Sequence, residues 1–204
     1  MKMPMVSQME QQSPTVKAII EGMVFVADAP VTVDKLADLL PEFERDQIKE
    51  ALLALQADLV ERGSGICLVE VAGGWQFRTI GELSPFLART LKGRATRFSQ
   101  SALETLAIVA YRQPVTRQEI EFLRGVDTGA VLKTLLEKRL IKILGKKDIP
   151  GRPIIYGTTK EFLEAFNLKD LKGLPTLREI QSLDESPQFE FQEELPLEVQ
   201  PEEG

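Results

Sequence analysis

The sequence predicts a mainly helical α+β fold that occurs twice in tandem. Two segments 84 residues apart, Pro30-Val31-Thr32 and Pro114-Val115-Thr116, each follow one apolar helical pattern and precede a second one. In both copies, three helical patterns are followed by two segments with strand character. Three helices and a β-hairpin make up the winged-helix pattern, a variant of the helix-turn-helix. The chain is therefore predicted to contain two tandem winged-helix domains.

The first copy is predicted from apolar spacing and from the residues that begin and end helices. Its elements are a helix through Ile19–Ala27 capped by Thr15, a short helix capped by Thr32 with Leu36, Leu39 and Leu40 on its apolar face, a helix over Glu44–Arg62, and strands over Ile66–Val71 and Trp75–Thr79. Between the strands, Ala72-Gly73-Gly74 is a hairpin signal. A connecting helix follows, in which four apolar residues are expected to be buried: Leu83, Phe86, Leu87 and Leu91.

The second copy repeats this order. Its elements are a helix through Leu103–Tyr111 capped by Ser99, a helix over Arg117–Arg124, a helix over Thr128–Leu140, strands over Ile141–Leu144 and Ile154–Thr158, and a last helix opened by Thr159 with Phe162, Leu163 and Phe166 facing inward. Thr116 with Glu119 three residues later is a capping-box signal. The loop Gly145–Pro153 is predicted to be a basic wing.

These elements predict four regions along the chain. Residues 1–14 form a disordered arm, residues 15–93 the first domain, residues 94–175 the second domain, and residues 176–204 an acidic, disordered tail. The boundary between the domains is placed in a basic, glycine-interrupted stretch.

The composition argues against most kinds of catalytic centre. The chain has no histidine, the commonest general base and neutral metal ligand. Cys67, its one cysteine, cannot form an internal disulfide or a multi-thiolate metal site, and its apolar surroundings predict a buried strand residue. No nucleophile, metal or cofactor pattern is found, and no apolar stretch approaches the ~20 residues of a membrane-spanning helix. A cytoplasmic protein without catalytic residues, metal or cofactor is expected.

The net charge of −6 conceals regions of opposite sign. Residues 1–88 carry −6, residues 89–160 carry +9, and residues 184–204 carry −8 with no basic residue. The basic second copy suggests either self-complementary packing or a polyanionic partner. In the acidic tail, Phe189, Phe191 and Leu195 alternate with glutamates. The tail is predicted either to solubilise the chain, to fold on a partner, or to contact the chain's own basic domain.

The helix over Thr128–Leu140 occupies the position of a recognition helix, but it is poorly suited to reading DNA bases. Its outward residues include no arginine, asparagine or glutamine, the side chains that make bidentate contacts with base edges. The wing, with Lys142, Lys146, Lys147 and Arg152, is predicted either to dock an acidic partner or nucleic-acid backbone, or to be a solvated turn.

The second copy also resembles a known family. The run ALETLAIVAYRQPVTRQEIE at residues 102–121, LRGV at 123–126, PGRP at 150–153 and YGTT at 156–159 resemble segregation and condensation protein B. IEGMVF at 20–25 and Pro30-Val31 resemble the same family more loosely. The resemblance covers residues 15–175 and leaves out the N-terminal arm and the acidic tail.

The resemblance implies a non-enzymatic accessory subunit of the bacterial SMC–kleisin complex, which condenses and segregates chromosomes. In that family the first winged-helix domain mediates homodimerisation, and the second binds the kleisin, segregation and condensation protein A (ScpA), and through it SMC. The implied kleisin-facing residues are Arg112, Arg117, Glu121, Arg124, Lys133, Arg152 and Tyr156. The dimer interface is expected to include Phe25, Leu68, Trp75 and Phe77. Gly125 is expected to supply a positive φ in the turn after Arg124.

Two other functions are left open by the residues themselves. A DNA-binding transcription factor is favoured by the fold and by the basic second copy, and a weak, non-specific DNA contact is compatible with the adaptor role. An enzyme is the least favoured, because no set of residues supports a reaction. A nucleoid-associated location in the cytoplasm follows from the resemblance.

Overall fold

In a computed structural model, the structure describes residues 14–90, 98–176 and Glu179. The predicted N-terminal arm up to residue 13, the boundary between residues 93 and 94, and nearly all of the acidic tail lie outside the described residues. Within the described residues the predicted fold class is confirmed, since each copy consists of three helices followed by a β-hairpin. Both copies belong to one compact unit that ends at Lys172.

The first module contains three helices, a hairpin and a short connecting helix. Its elements are α1 (Val16–Phe25), α2 (Val33–Leu39), α3 (Arg45–Glu61), β1 (Ile66–Val71), β2 (Gly74–Thr79) and α4 (Ser84–Thr90), with a 3₁₀ turn at Gly81–Leu83. β1 and β2 are antiparallel, and Leu68 lies opposite Phe77. Residues from all three main helices and both strands form the core, including Ile20, Leu36, Ile48, Leu52 and Leu59.

The second module repeats this architecture and adds a C-terminal helix. Its elements are α5 (Gln100–Arg112), β3 (Val115–Thr116), α6 (Arg117–Arg124), α7 (Gly129–Glu137), β4 (Ile141–Lys146), β5 (Ile154–Thr158) and α8 (Lys160–Ala165), with a 3₁₀ turn at Leu171–Gly173. The three strands form one antiparallel sheet in the order β3-β5-β4. A bulge between Ile143 and Gly145 shifts the register of β4 against β5.

The two modules are built on equivalent positions. Val31 forms a two-way backbone bridge with Trp75, with N···O distances of 2.8 and 2.9 Å. Val115, 84 residues later, pairs with Tyr156 in the same antiparallel manner. In each module the chain segment between the first two helices therefore pairs with an aromatic residue of the hairpin, as a single bridge in the first module and as the short strand β3 in the second.

Local sequence signals placed the helix starts correctly. The hydroxyl groups of Thr15, Thr32, Ser99 and Thr159 each accept a hydrogen bond from the backbone N–H three residues later, as predicted. The capping box at the start of α6 is also present. These caps depend only on residues close together in the chain, so they can be predicted from the sequence.

Several burial predictions were wrong. Leu39 is 55% exposed, whereas Leu36 and Leu40 of the same predicted apolar face are buried in the core. In the connector, Leu83 and Leu87 are half-buried, while Phe86 is 60% exposed with Arg89 stacked over its ring at 5.5 Å; Leu91 lies outside the described residues. Cys67 is only half-buried.

The helix predicted over Thr128–Leu140 is shorter in the structure, where α7 ends at Glu137. Thr128 precedes α7 with a buried side chain, and its hydroxyl has no partner among the described residues. The predicted inward position of Phe166 also needs correction. Phe166 is 43% exposed, although its ring contacts that of Phe162 at 4.9 Å between centroids. A helix of six residues ends before Phe166, which leaves this ring at the edge of the core.

The first hairpin is joined to the end of the second module by backbone hydrogen bonds. The N–H groups of Ala72 and Gly73 donate to the carbonyl oxygens of Leu168 and Lys169 at 2.8 and 3.0 Å. The Arg78 guanidinium donates to the carbonyl oxygen of Glu164 at 2.8 Å. These contacts hold the two modules against each other through main-chain atoms of the hairpin turn and of the segment after α8.

None of the helices in the described part of the chain is both long and apolar enough to cross a membrane. The same residues contain no group of three or more side chains that could hold a metal ion.

Candidate partner-binding site

The exposed side of α6 is the most distinctive surface of the second module. The capping box fixes the start of this helix: the Thr116 hydroxyl accepts from the Glu119 N–H at 3.3 Å, and the Glu119 carboxylate accepts from the Thr116 N–H at 2.8 Å. Gly125 ends the helix at φ 69°, which confirms the predicted positive φ. Ile120 alone on this helix is fully buried, so Phe122 on the opposite side is 87% exposed.

Beside Phe122 lies a groove of about 460 Å³, hereafter the α6 groove. Its lining is mainly apolar and includes three polar or charged side chains. The residues that line it are Arg112, Pro114, Val115, Gln118, Glu119, Phe122 and Leu123. Arg112 forms no ion pair within the described part of the chain. The groove can therefore accept a large apolar side chain while Arg112 contacts an acidic neighbour.

Glu119 connects this groove to the wing. Its carboxylate accepts a hydrogen bond from the Lys147 ammonium at 2.7 Å, in addition to those from Thr116. The Lys147 hydrogen bond, followed by the backbone and hydroxyl donors of Thr116, lowers the pKa of Glu119 to about 2. Glu119 is therefore a charged anchor between the start of α6 and the wing at neutral pH.

Two of the predicted kleisin-facing residues lie in one charge cluster. Arg117 donates to Glu121 at 2.6 Å and to Asp127 at 2.5 Å. Glu121 also accepts from the Thr128 N–H at 3.1 Å. The hydrogen bond between Arg117 and Glu121 raises the pKa of Arg117 and lowers that of Glu121. The cluster joins α6 to the start of α7, where a Cβ on Gly129 would come within 2.9 Å of the Arg117 guanidinium.

Arg124, another predicted kleisin-facing residue, is engaged inside the module. Its guanidinium donates to the Ser101 carbonyl at 2.7 Å and to the Thr105 hydroxyl at 2.8 Å, and it pairs with Glu104 at 2.9 Å. Only 13% of its side chain is exposed. Arg124 therefore attaches α6 to α5, and its surface for a partner is small.

The remaining predicted residues lie elsewhere on the module. Lys133 is on α7, where it faces Glu137 at 3.9 Å. Arg152 is exposed in the wing at φ 41°, and no ion pair of its own is found in the described residues. Tyr156 is only 9% exposed, between β3 and β4 in the sheet. The structure thus joins Arg117 to Glu121 directly and places Arg112 in the α6 groove.

The residues predicted for the dimer interface divide into two pairs. Leu68 and Trp75 are 1% and 9% exposed and belong to the core of the first module. Phe25, by contrast, is 72% exposed at the end of α1, with its ring edge against Phe77 at 6.5 Å between centroids. Of these four predicted residues, only Phe25 and Phe77 have side chains accessible at the surface of the described part of the chain.

Sequence reasoning did not select Phe122, the most exposed large apolar side chain among the described residues. Leu123 and Val126 nearby are also at least half exposed. The signal was available, because residues two apart on a helix do not share a face, and Ile120 marks the buried face. A phenylalanine at position 122 therefore has to point away from the core.

Comparison with known proteins identifies the family. The family model described as "Segregation and condensation complex subunit ScpB" matches residues 18–177. Segregation and condensation protein B of Myxococcus xanthus is 52% identical over 168 residues, which are 82% of this chain and 51% of that protein. The protein of the same name from Syntrophotalea carbinolica is 48% identical over 178 residues, 86% of this chain and 90% of that one.

A solved structure is similar as well. It is described as a dimer of the ScpB N-terminal domain complexed with ScpA peptide, is 28% identical, covers 41% of this chain and all of that one, and has a TM-score of 0.37. This chain spans about half the length of the Myxococcus relative. The extent of the family match and the identity to both curated relatives show that the chain belongs to the ScpB family of segregation and condensation complex subunits.

Proposed function

We propose that this chain is a non-catalytic adaptor of a bacterial SMC–kleisin complex, which binds the kleisin ScpA through its second module and a second copy of itself through its first. In this role it supports chromosome condensation and segregation in association with the nucleoid. Its membership of a family of complex subunits supports the proposal.

The observation that carries the kleisin-binding part is the exposure of Phe122 beside the α6 groove. Covering a phenylalanine side chain contributes about 1.5–3 kcal/mol, so leaving it in water is costly unless a partner covers it. With Arg112 among its lining residues, the groove suits a kleisin segment with a large apolar residue next to an acidic one. We assign the α6 groove as the centre of the interface, with Arg117 and Glu121 as positioning residues.

The helix surfaces favour a protein over DNA as the main partner. On α7, Lys133 faces Glu137, so the charge available to a phosphate is reduced at the position of a recognition helix. On α3, the counterpart of α7, the exposed side carries Leu53 and Val60, which are 55% and 73% exposed. Apolar side chains in these positions do not bind phosphates.

For the dimer we propose a surface centred on Phe25, with Val26 and Phe77 beside it. Phe25 and Val26 are both more than 70% exposed at the end of α1. The edge contact of Phe25 with Phe77 extends this apolar surface onto the hairpin. Leu68 and Trp75 then act indirectly, by holding the hairpin in place.

The proposal is tested by titrating the chain with a purified ScpA fragment and measuring affinity by calorimetry and mass by light scattering, at about 0.15 M salt. Because Phe122 is central to the proposed interface, Phe122→Ala is expected to weaken binding at least tenfold. Stability should change by no more than about 0.5 kcal/mol, since the ring is exposed. The wild-type chain is expected to be a dimer that gains mass with the kleisin.

Phe86→Ala is the matched control, because Phe86 is also a strongly exposed aromatic residue but lies in the first module. It is expected to bind the kleisin like the wild type. Unchanged affinity of Phe122→Ala would move the interface away from the α6 groove. If the wild-type chain does not bind the ScpA fragment at all, the adaptor role is excluded, and DNA becomes the partner to test.

A further inference from the structure

The turn after α7, the start of β4 and the start of α8 meet at a pocket of about 450 Å³, hereafter the basic pocket. The Thr159 hydroxyl donates to the carbonyl oxygen of Arg139 at 2.5 Å, and the Thr159 N–H donates to that of Leu140 at 3.3 Å. Ile141, the first residue of β4, is buried and pairs with Thr158. Hydrogen bonds of the fold itself therefore set the positions of the three elements around this pocket.

Three basic side chains from these three segments line the basic pocket: Arg139, Lys142 and Lys160. All three are exposed, and none of them forms an ion pair within the described residues. The other lining residues are apolar or polar and include one carboxylate: Leu136, Ile141, Thr159 and Glu161. The basic pocket therefore has a net positive charge, and its three cations are available to an anion from outside the chain.

The backbone at Arg139 adopts a conformation that is uncommon for a residue with a side chain. Its φ is 56°, in the left-handed region that favours glycine. The Arg139 N–H donates to the Leu136 carbonyl oxygen at 2.9 Å, and Thr159 binds the Arg139 carbonyl oxygen. The turn after α7 thus places a permanently charged guanidinium at the basic pocket at a cost in backbone strain. Strained residues of this kind are concentrated at binding sites.

The basic pocket also lies at the end of the helix that occupies the recognition position. In a helix-turn-helix fold this helix lies against duplex DNA. Here α7 contains no arginine, asparagine or glutamine to read bases, and its Lys133 faces Glu137 at 3.9 Å. A duplex on this side of the module therefore meets its free cations beside α7, and these suit phosphates, which position a protein without reading sequence.

We propose that the basic pocket binds the phosphate backbone of duplex DNA without sequence preference. Arg139 donates two N–H groups to one phosphate, and Lys142 and Lys160 contact neighbouring phosphate oxygens as point charges. Duplex DNA carries one negative charge per about 1.7 Å of its axis. An extended peptide with an acidic residue at every position carries one per about 3.3–3.6 Å. The duplex therefore suits three cations in one pocket better than an acidic protein segment does.

This site is separate from the α6 groove. No residue that lines the basic pocket also lines the groove. A kleisin segment in the groove therefore leaves the basic pocket unoccupied, and DNA binding does not depend on the adaptor role proposed above. A chain that binds both attaches the complex to DNA at a second point, through its own second module.

Titration of the full chain with a short fluorescent DNA duplex tests the proposal by anisotropy. Each phosphate contact contributes about −0.9 to the slope of log affinity against log salt, so three contacts predict a fall of about 40-fold between about 50 and 200 mM salt. Arg139→Gln/Lys142→Gln/Lys160→Gln is expected to bind about tenfold more weakly or worse at the lower salt, with a slope shallower by about 2.7. Duplexes of equal length and different sequence should bind equally, and a strong sequence preference would overturn the proposal.

The matched control is Lys35→Gln/Arg62→Gln/Arg89→Gln, which changes the net charge by the same amount in the first module. These three side chains are exposed and form no ion pair among the described residues. The control is expected to bind DNA within about threefold of the wild type, since exposed charges distant from the duplex are largely screened. Equal weakening in both variants would mean that net charge alone matters and would overturn the proposal, as would a wild type that does not bind DNA.

A second variant, Lys142→Gln/Lys160→Gln, leaves the turn at Arg139 intact. Its slope is expected to be shallower by about 1.8, and an unchanged slope would contradict the proposal. Thermal unfolding followed by circular dichroism checks that each variant folds like the wild type. A polyglutamate peptide with the same total charge as the duplex is expected to bind more weakly. If it binds as tightly, the basic pocket is a site for an acidic protein, and the proposal is overturned.

Discussion

The two wings of this molecule have the same origin in the fold but different surroundings. In the first module, the turn at Ala72 and Gly73 is short, and both amides donate to carbonyl groups after α8. In the second module, the longer wing after Lys146 is joined to the helices by the ion pair between Lys147 and Glu119. One copy of the hairpin therefore serves the packing of the chain, while the other leaves apolar and basic side chains exposed.

Trp75 and Tyr156 show what the two modules share. Each lies on the second strand of its hairpin, each pairs with the valine that precedes a helix cap, and each is 9% exposed. Sequence reasoning placed Trp75 in a dimer interface and Tyr156 in a kleisin interface. Because they occupy equivalent core positions, the same role in packing explains both, and the differences between the modules lie at their exposed surfaces.

The largest effect is expected from a variant that disturbs the bridge between Val31 and Trp75 in the first module. A Cβ on Gly74 would come within 2.8–3.0 Å of backbone atoms of Pro30 and Val31. Gly74→Ala is therefore expected to destabilise the chain by about 2 kcal/mol, in the range for overpacking, as measured by chemical denaturation. Gly81→Ala, where a Cβ meets nothing within 4 Å, should change stability by less than about 0.5 kcal/mol. Equal effects of the two variants would mean that the hairpin can move away from Pro30.

A smaller effect is expected at the junction between the modules. Arg78→Met removes the hydrogen bond to the Glu164 carbonyl, and a charged hydrogen bond contributes about 1.5–3 kcal/mol. The buried Nε of Arg78 has no partner among the described residues, so the net loss is expected near about 1 kcal/mol. The amides of Ala72 and Gly73 should exchange faster.

Arg89→Met is the control for this variant, since Arg89 is also an arginine of the first module and stacks over the ring of the exposed Phe86. It should leave both stability and the exchange of Ala72 unchanged. If Arg78→Met also leaves that exchange unchanged, the backbone hydrogen bonds hold the junction without Arg78.

The smallest effect concerns the anchor of the second wing. Glu119→Gln is expected to cost about 0.5–1 kcal/mol at pH 7, because it weakens the capping box and an exposed ion pair. The pKa of Glu119 is about 2 in the folded chain, so its contribution is fully present above its usual pKa of 4.5 and is lost as the pH falls towards 2.

The difference in unfolding free energy between Glu119→Gln and the wild type should therefore narrow between pH 4.5 and pH 3. Glu137→Gln, which removes another helix carboxylate that faces a lysine, serves as the comparison at pH 7. A difference for Glu119→Gln that stays constant with pH would show that Lys147 does not hold the wing in solution.

The fold was predictable because its signals are local or periodic. Thr32 and Thr116 cap helices through contacts three residues away, and Gly125 ends one with a conformation that few other residues adopt easily. Because equivalent positions lie 84 residues apart, the elements predicted for one module could be compared with those predicted for the other. Leu39 and Leu123 show the limit of this check, since both occupy an apolar position in the repeat and both are at least half exposed.

The candidate site was only partly predictable, because its contacts join distant parts of the chain. Arg124 was assigned to the surface, yet it is held by Ser101 and Thr105, about 20 residues earlier, which no spacing rule reveals. Arg117 and Glu121 were predictable as a pair, since residues four apart on a helix are neighbours. Phe122 is a single uncharged residue, so neither the charge pattern nor the family motifs single it out.

The hydrogen bonds from Ala72 and Gly73 to Leu168 and Lys169 are made by main-chain atoms alone. Every residue except proline offers the same N–H, and every residue offers the same C=O. The side chains of Leu168 and Lys169 can therefore change without loss of these two hydrogen bonds, whereas Ala72 and Gly73, with φ of 51° and 75°, adopt a conformation that favours glycine. On the side of the second module, the attachment can persist between relatives without a particular side chain to mark it.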